Sequence, residues 1–157
     1  LLAPPYHLSQ TVVGLIFSVY LVGTFSSAWM GQQATRYGRG RVLTIAFGLI
    51  GAGIALLAMP WLTTMALGIA LVTFGFFGGH SVASSWVGSR AGMMRAEASA
   101  LYLFAYYLGS SVLGVVGGLA YAAWDWLGVC AFAAVLTLLG GGIVWALQQR
   151  APQPVTA

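Results

Sequence analysis

Long runs without a single charged side chain are the feature that most restricts how this chain can fold. Residues 1–35, 42–89, 98–124 and 126–149 contain no arginine, lysine, aspartate or glutamate. Charged residues make up 5% of the chain and apolar residues 60%, whereas about a quarter of a typical soluble domain is charged. A soluble domain would need a more polar surface than this composition provides. The sequence therefore predicts an integral membrane protein.

The lengths of these runs predict five membrane-spanning α-helices. A helix needs about 20 apolar residues to cross a bilayer, so residues 42–89 hold two helices, with Pro60 in the turn between them because proline disrupts a helix interior. No segment shows the sustained alternation of a membrane β-strand. We predict an all-α bundle over residues 11–148, between a periplasmic loop at 1–10 and a cytoplasmic tail at 149–157. The five predicted helices are residues 11–33, 42–59, 62–88, 97–122 and 126–148.

The arginines predict how the bundle is oriented. With five helices, every arginine falls in a segment on the same side of the membrane, and the opposite side has none. Membrane proteins concentrate arginine and lysine in their cytoplasmic loops, so this side and the C-terminus are expected to be cytoplasmic. The arginines are Arg36, Arg39, Arg41, Arg90, Arg95 and Arg150.

The first, third and fourth predicted helices carry polar side chains at helical spacing. Polar groups are costly in hydrocarbon unless they face protein or water. We therefore expect these three helices to line a cavity, and the nearly aliphatic second and fifth helices to face lipid. The alternative is hydrogen bonding between helices without any cavity. The candidate cavity residues are Tyr20, Thr24, Ser27, Thr73, His80, Ser84, Tyr102, Tyr106 and Ser110.

His80 is the one ionisable side chain well inside a predicted helix. An ionisable residue within the membrane is a candidate functional site, and histidine titrates near neutral pH, which suits proton coupling. The alternative is a neutral histidine that is hydrogen-bonded to a neighbouring helix. His80 is thus a candidate for the proton site or the substrate cavity.

Glycines in the third and fourth predicted helices indicate close helix packing. Gly75 and Gly79 lie four residues apart in the third helix, and Gly114 and Gly118 do so in the fourth. Small residues at this spacing allow two helix backbones to approach each other closely. We interpret the four glycines as packing positions without a gating role.

The segment Gly31–Arg41 resembles the G-x-x-x-D-R-x-G-R-R signature of the major facilitator superfamily. In that family the signature joins helices 2 and 3 and, in a weaker form, helices 8 and 9. Thr35 replaces the aspartate, and Gly40 replaces a basic residue, with Arg41 one position later. Such weakening favours the second copy, between helices 8 and 9. The matching positions are Gly31, Arg36, Gly38 and Arg39.

The resemblance implies that the chain corresponds to helices 8–12 of a twelve-helix transporter. In this family, helices 8, 10 and 11 line the substrate cavity while helices 9 and 12 lie outside, which matches the distribution of polar side chains. The stretches Gly79–Gly88 and Ser99–Gly114 look like those of bacterial efflux-type members.

The implied function is part of a secondary active transporter in the bacterial inner membrane. It would export a small molecule by alternating access, coupled to protons. The implied partners are the lipid bilayer, the substrate, protons and an N-terminal half of the same protein. Without that half, the chain alone is expected to be inactive.

Two other classes of function are open at this point. A complete five-helix protein could form a homodimer that acts as a pore or a half-transporter. An intramembrane hydrolase could use His80 with Ser84, but the sequence shows no G-x-S-x-G elbow, metal-ligand cluster or paired carboxylates. We therefore expect no enzyme, no cofactor and no metal. Six scattered arginines also make no basic face for nucleic acid.

Overall fold

A computed structural model describes residue 7 and residues 9–149, and these residues form helices and turns without a strand. Of the predicted loop at 1–10 the structure describes residues 7, 9 and 10, and of the predicted tail at 149–157 it describes Gln149. Arg150 lies outside the described residues. Short 3-10 turns occupy Phe17–Val19 and Gly92–Met94. The α-helices are α1 (Gln10–Ile16), α2 (Tyr20–Tyr37), α3 (Arg39–Leu57), α4 (Leu62–Arg90) and α5 (Arg95–Gln149).

Helix α5 consists of two straight parts that meet at a sharp break. Trp124 (φ −141°, ψ 23°) and Asp125 (φ 52°, ψ −148°) have non-helical backbone angles, and they separate a first arm (residues 95–123) from a second arm (residues 126–149). Helical segments long and apolar enough to cross a membrane are Arg39–Leu57, Leu62–Arg90 and Gly92–Gln149, the last of which includes both arms. Together with α2, these segments give the five-helix all-α membrane bundle that the sequence predicts.

Helix boundaries differ most from the prediction near the arginine-containing turn. The predicted helix 11–33 is interrupted at Phe17–Val19 and then continues to Tyr37, and α3 begins at Arg39 instead of residue 42. Gly38 alone makes the turn, with φ 89° and ψ 141°, a conformation that is open essentially to glycine only. The predicted loop is therefore mostly helical, because one glycine reverses the chain.

Contacts at the two ends show that α3 runs antiparallel to α4 and to the second arm of α5. At one end, Arg39 Nη1 donates to Ser89 Oγ at 2.8 Å, and Gln148 Nε2 donates to Thr44 Oγ1 at 2.8 Å. At the other end, Trp126 Nε1 donates to the carbonyl oxygen of Leu57 at 2.7 Å. All the described arginines lie toward the first end, which is called the arginine end below.

Helix α3 packs against α4 through glycines. A Cβ atom on Gly53 would lie 2.8 Å from the carbonyl oxygen of Gly68, and one on Gly75 would lie 2.7 Å from that of Ala46. These distances are too short for any real Cβ atom, so the two backbones are in direct contact. One side of α3 is therefore buried, while Thr44 on its other side is exposed.

Replacing Gly38 with alanine tests the turn. We expect Gly38→Ala to destabilise the protein by about 1–3 kcal/mol, because alanine must adopt a backbone conformation that L-residues avoid. Gly31→Ala is the control, since its Cβ would meet nothing within 4 Å and alanine favours a helix over glycine. Thermal unfolding of the purified full-length protein in detergent measures both. Equal unfolding temperatures for the two variants would contradict the turn geometry.

Candidate functional site

His80 and Tyr102 join α4 to the first arm of α5. The Tyr102 hydroxyl lies 3.0 Å from His80 Nδ1 and 3.4 Å from the His80 carbonyl oxygen. Both side chains are partly buried. Because a hydroxyl can donate or accept, it can pair with either tautomer of the imidazole. The pair can therefore hold a proton, or pass one on, without losing its hydrogen bond.

Aromatic rings surround the imidazole of His80. Phe76, one helical turn earlier on α4, stacks on it with ring centroids 6.0 Å apart and planes 20° apart. Tyr106, one turn after Tyr102 on α5, lies 4.7 Å away between centroids. Residues four apart share one helix face, so two i, i+4 pairs bring the four rings together. These rings fix the orientation of the imidazole.

This cluster forms one wall of a cavity between α3, α4 and both arms of α5. The cavity has a volume of about 460 Å³. Its remaining lining is aliphatic, aromatic or glycine, and no arginine, aspartate or glutamate lines it. The site thus combines largely apolar walls with the imidazole of His80 and the hydroxyls of Tyr102 and Tyr106, and ionisable residues within a membrane are typical of functional sites.

The polar side chains of α2 do not reach this cavity. Ser27 Oγ donates to the carbonyl oxygens of Gly23 at 3.1 Å and Phe77 at 3.3 Å. Thr24, which is exposed, donates to the Tyr20 carbonyl oxygen at 3.3 Å. The described residues therefore show hydrogen bonding at the α2–α4 interface and along α2. Among the described residues, the polar side chains of α2 lie apart from the cavity beside His80.

Three further predicted residues also lie outside the lining of the cavity. Ser110 is exposed and donates to the Tyr107 carbonyl oxygen at 3.0 Å. Thr73 and Ser84 lie on α4 and are partly buried. Of the nine predicted cavity residues, the structure brings together His80, Tyr102 and Tyr106. It also shows that α3 and the second arm, which were expected to face lipid, contribute to the cavity wall.

The loop residues of the sequence signature connect helix ends. Arg39 reaches Ser89, which in turn donates to the Trp86 carbonyl oxygen at 2.9 Å. The Arg36 guanidinium lies 5.2 Å from the centroid of the Tyr37 ring, within cation–π range. The α2–α3 turn is thereby attached to the end of α4. Gly31 and Arg41 do not take part in these contacts.

The predicted packing glycines fall into two groups. A Cβ on Gly75 would strike the α3 backbone, and one on Gly79 would lie 3.1 Å from Ala46 Cβ. At Gly114 and Gly118, no described atom outside their own helix backbone lies within 4 Å of such a Cβ. Gly75 and Gly79 therefore pack against α3, and the other two glycines face open space among the described residues.

Sequence inspection missed the most buried polar contact between α2 and α4. Ser26 is fully buried, and its hydroxyl donates to the Phe74 carbonyl oxygen. Gly78 lies opposite, where a Cβ would come within 2.6 Å of Ser26 Oγ. The sequence did contain a signal, because Gly23, Ser26, Met30 and Ala34 recur at helical spacing. All four are buried in α2. Within residues 9–149, His, Cys, Asp and Glu form no group that could hold a metal ion.

Known proteins resemble the chain over most of its length. The family model for the Major Facilitator Superfamily matches residues 1–157. "Uncharacterized MFS-type transporter YybF" of Bacillus subtilis is 51% identical over 82% of the chain and 32% of its own length. "Inner membrane transport protein YnfM" of Escherichia coli is 45% identical over 88% of the chain and 33% of its own length. The chain therefore spans about a third of the length of these relatives. No solved structure gives a significant match.

Proposed function

The chain belongs to the major facilitator superfamily, and from this premise we propose that it is part of a secondary active transporter that exports a small molecule. Its curated relatives are named as transporters, and three of its helical segments are long and apolar enough to cross a bilayer. The observation that carries the proposal is the His80–Tyr102 pair in the wall of an apolar cavity. An ionisable group in that setting is typical of proton and substrate pathways.

Protons are the proposed coupling ion. When His80 takes up a proton, the imidazole becomes charged beside apolar walls, which favours a state in which the cavity is open to water. When the proton leaves, the neutral pair is compatible with a closed cavity. Transport would then follow alternating access, with rigid bundles rocking around a site near the membrane centre.

The other half of the proposed transporter is supplied by sequence outside residues 1–157. The first arm of α5 exposes Leu101, Phe104 and Leu108 by 66%, 64% and 53%, and its Gly114 and Gly118 meet no neighbouring helix. The match with the Escherichia coli relative spans only 33% of that protein, so a transporter of this family has further residues to cover these faces. The chain alone is therefore proposed to be inactive.

The proposed location is the bacterial inner membrane, in which the arginine end faces the cytoplasm. The Escherichia coli relative is named an inner membrane transport protein. The described arginines gather toward one end of the bundle, as expected for the cytoplasmic side. The C-terminus would then also be cytoplasmic.

Dye export from intact cells tests the function. Bacterial cells that overproduce the full-length protein are loaded with ethidium or Nile red, two amphipathic fluorescent probes. We expect them to accumulate less dye than cells without the protein, and an uncoupler that collapses the proton gradient should abolish the difference. Export that persists after uncoupling while ATP is depleted would contradict proton coupling. Equal accumulation of both dyes would contradict export of this class of molecule.

A further inference from the structure

A second concave surface lies on the outer side of the bundle, between α3 and the second arm of α5. It is a groove of about 600 Å³ that includes Thr44, Gly48, Gly142 and Trp145 in its lining. Neither Gly48 nor Gly142 would bring a Cβ within 4 Å of a neighbouring residue. Both positions therefore face open space in the groove, and the groove does not contain the His80 site.

One end of the groove is polar. Gln148 Nε2 donates to Thr44 Oγ1, and the indole of Trp145 is 63% exposed. Arg41 lies three residues before Thr44 in α3, and Gly48 lies four residues after it, so all three share one helix face. Arg41 is exposed, and no described residue provides it with a hydrogen bond or an ion pair. Arg41, which does not itself line the groove, lies about one helical turn beyond Thr44 toward the arginine end. Among the described residues it is a cation without a partner, and a cation and an indole near one end of an apolar groove match the interface between headgroups and hydrocarbon.

We propose that this groove is a binding site for one phospholipid of the leaflet at the arginine end. One acyl chain would fill the space over Gly48 and Gly142, where an empty groove would lose van der Waals contacts. The lipid phosphate would pair with Arg41, next to the Thr44–Gln148 hydrogen bond. Charge favours this occupant over an apolar helix, because only the phospholipid brings an anion close to the exposed guanidinium of Arg41.

Native mass spectrometry of the full-length protein with added phosphatidylglycerol measures how tightly the groove holds a lipid. Diacylglycerol with the same acyl chains is the comparison ligand, since it lacks the phosphate. One cation near a membrane surface contributes roughly a fivefold effect on binding. We therefore expect the first phosphatidylglycerol to dissociate about fivefold more readily from Arg41→Gln, and diacylglycerol to bind about fivefold more weakly than phosphatidylglycerol. Arg90→Gln, at the same end but on α4, which contributes no residue to the groove, should leave phosphatidylglycerol binding unchanged.

Gly48→Leu tests the acyl-chain part of the site by filling the groove. Because the space around Gly48 is open, the variant should fold and should unfold at the wild-type temperature. It should nevertheless retain at least about tenfold less phosphatidylglycerol, because a side chain occupies the volume of the acyl chain. Ala146→Leu adds bulk on an exposed position of the second arm outside the groove, and it should retain the lipid.

Three results would overturn the proposal. Equal lipid retention by Gly48→Leu and Ala146→Leu would show that lipid does not enter the groove. If Arg41→Gln and Arg90→Gln lost phosphatidylglycerol equally, the lipid would be attracted to positive charge in general and would have no specific site at the groove. A dimer that dissociates in Gly48→Leu would identify a second copy of the protein as the occupant.

Discussion

Replacing Gly75 with leucine is expected to prevent α3 from packing against α4. The new side chain would enter space held by the Ala46 carbonyl oxygen and by Ile50 Cγ1, which lie 2.7 Å and 2.8 Å from the position of a Cβ atom. Neither helix can yield locally, because a backbone carbonyl cannot rotate away without breaking its own helix. Overpacking a core usually lowers the free energy of unfolding by about 1–3 kcal/mol. Because Gly75→Leu must separate two backbones, we expect it to lower the free energy of unfolding by about 3 kcal/mol or more.

Thermal unfolding of the purified full-length protein in detergent, together with its yield as a monodisperse species, measures this effect. Ala66→Leu is the matched control, because it enlarges an exposed residue on the same helix and should leave the unfolding temperature close to that of the wild type. Gly75→Ala should fall between the two. If Gly75→Leu unfolds at the same temperature as Ala66→Leu, α3 and α4 do not approach each other as described.

The second large effect is expected for His80→Ala in the full-length protein. The substitution removes the imidazole from the cavity wall and leaves the Tyr102 hydroxyl without its 3.0 Å partner. Since the proposed coupling depends on this group, uncoupler-sensitive dye export should fall roughly tenfold or more while the protein still folds. Tyr102→Phe keeps the ring but removes one hydrogen bond. The typical net value of a hydrogen bond, about 1 kcal/mol, corresponds to roughly a fivefold loss of uncoupler-sensitive dye export.

Tyr121→Phe is the control for loss of a tyrosine hydroxyl. Tyr121 is exposed on the first arm, does not line the cavity, and lies about five helical turns from Tyr102. Uncoupler-sensitive export at the wild-type rate by His80→Ala would exclude His80 from the coupling mechanism. If Tyr121→Phe and Tyr102→Phe impaired export equally, the effect would not be specific to the hydrogen bond with His80.

The sequence predicts the fold well because the relevant signals are local. Charge-free runs, Pro60 and the positions of the arginines are properties of consecutive residues, and the contrast between hydrocarbon and water acts on them directly. Helix boundaries are less predictable, as the region around Gly38 shows. A single residue with a positive φ replaced the longer loop that the arginines indicated.

The candidate site is only partly accessible from the sequence. Helical spacing identified His80, Tyr102 and Tyr106 as polar residues on helix faces, but it could not pair His80 with Tyr102 or place Ser27 against Phe77. Spacing defines a face within one helix, whereas a contact also depends on how two helices are rotated and how far they are shifted along each other.

The sequence by itself therefore determined that this chain is an all-helical membrane protein, and that its described arginines gather toward one end, because burial in lipid depends on local composition. Only the tertiary structure decided which faces meet. It placed Ser26 in the α2–α4 interface, brought α3 against α4 through Gly53 and Gly75, and paired His80 of α4 with Tyr102 of α5. These contacts depend on how closely the helix backbones can approach each other, which is set jointly by small residues on both helices.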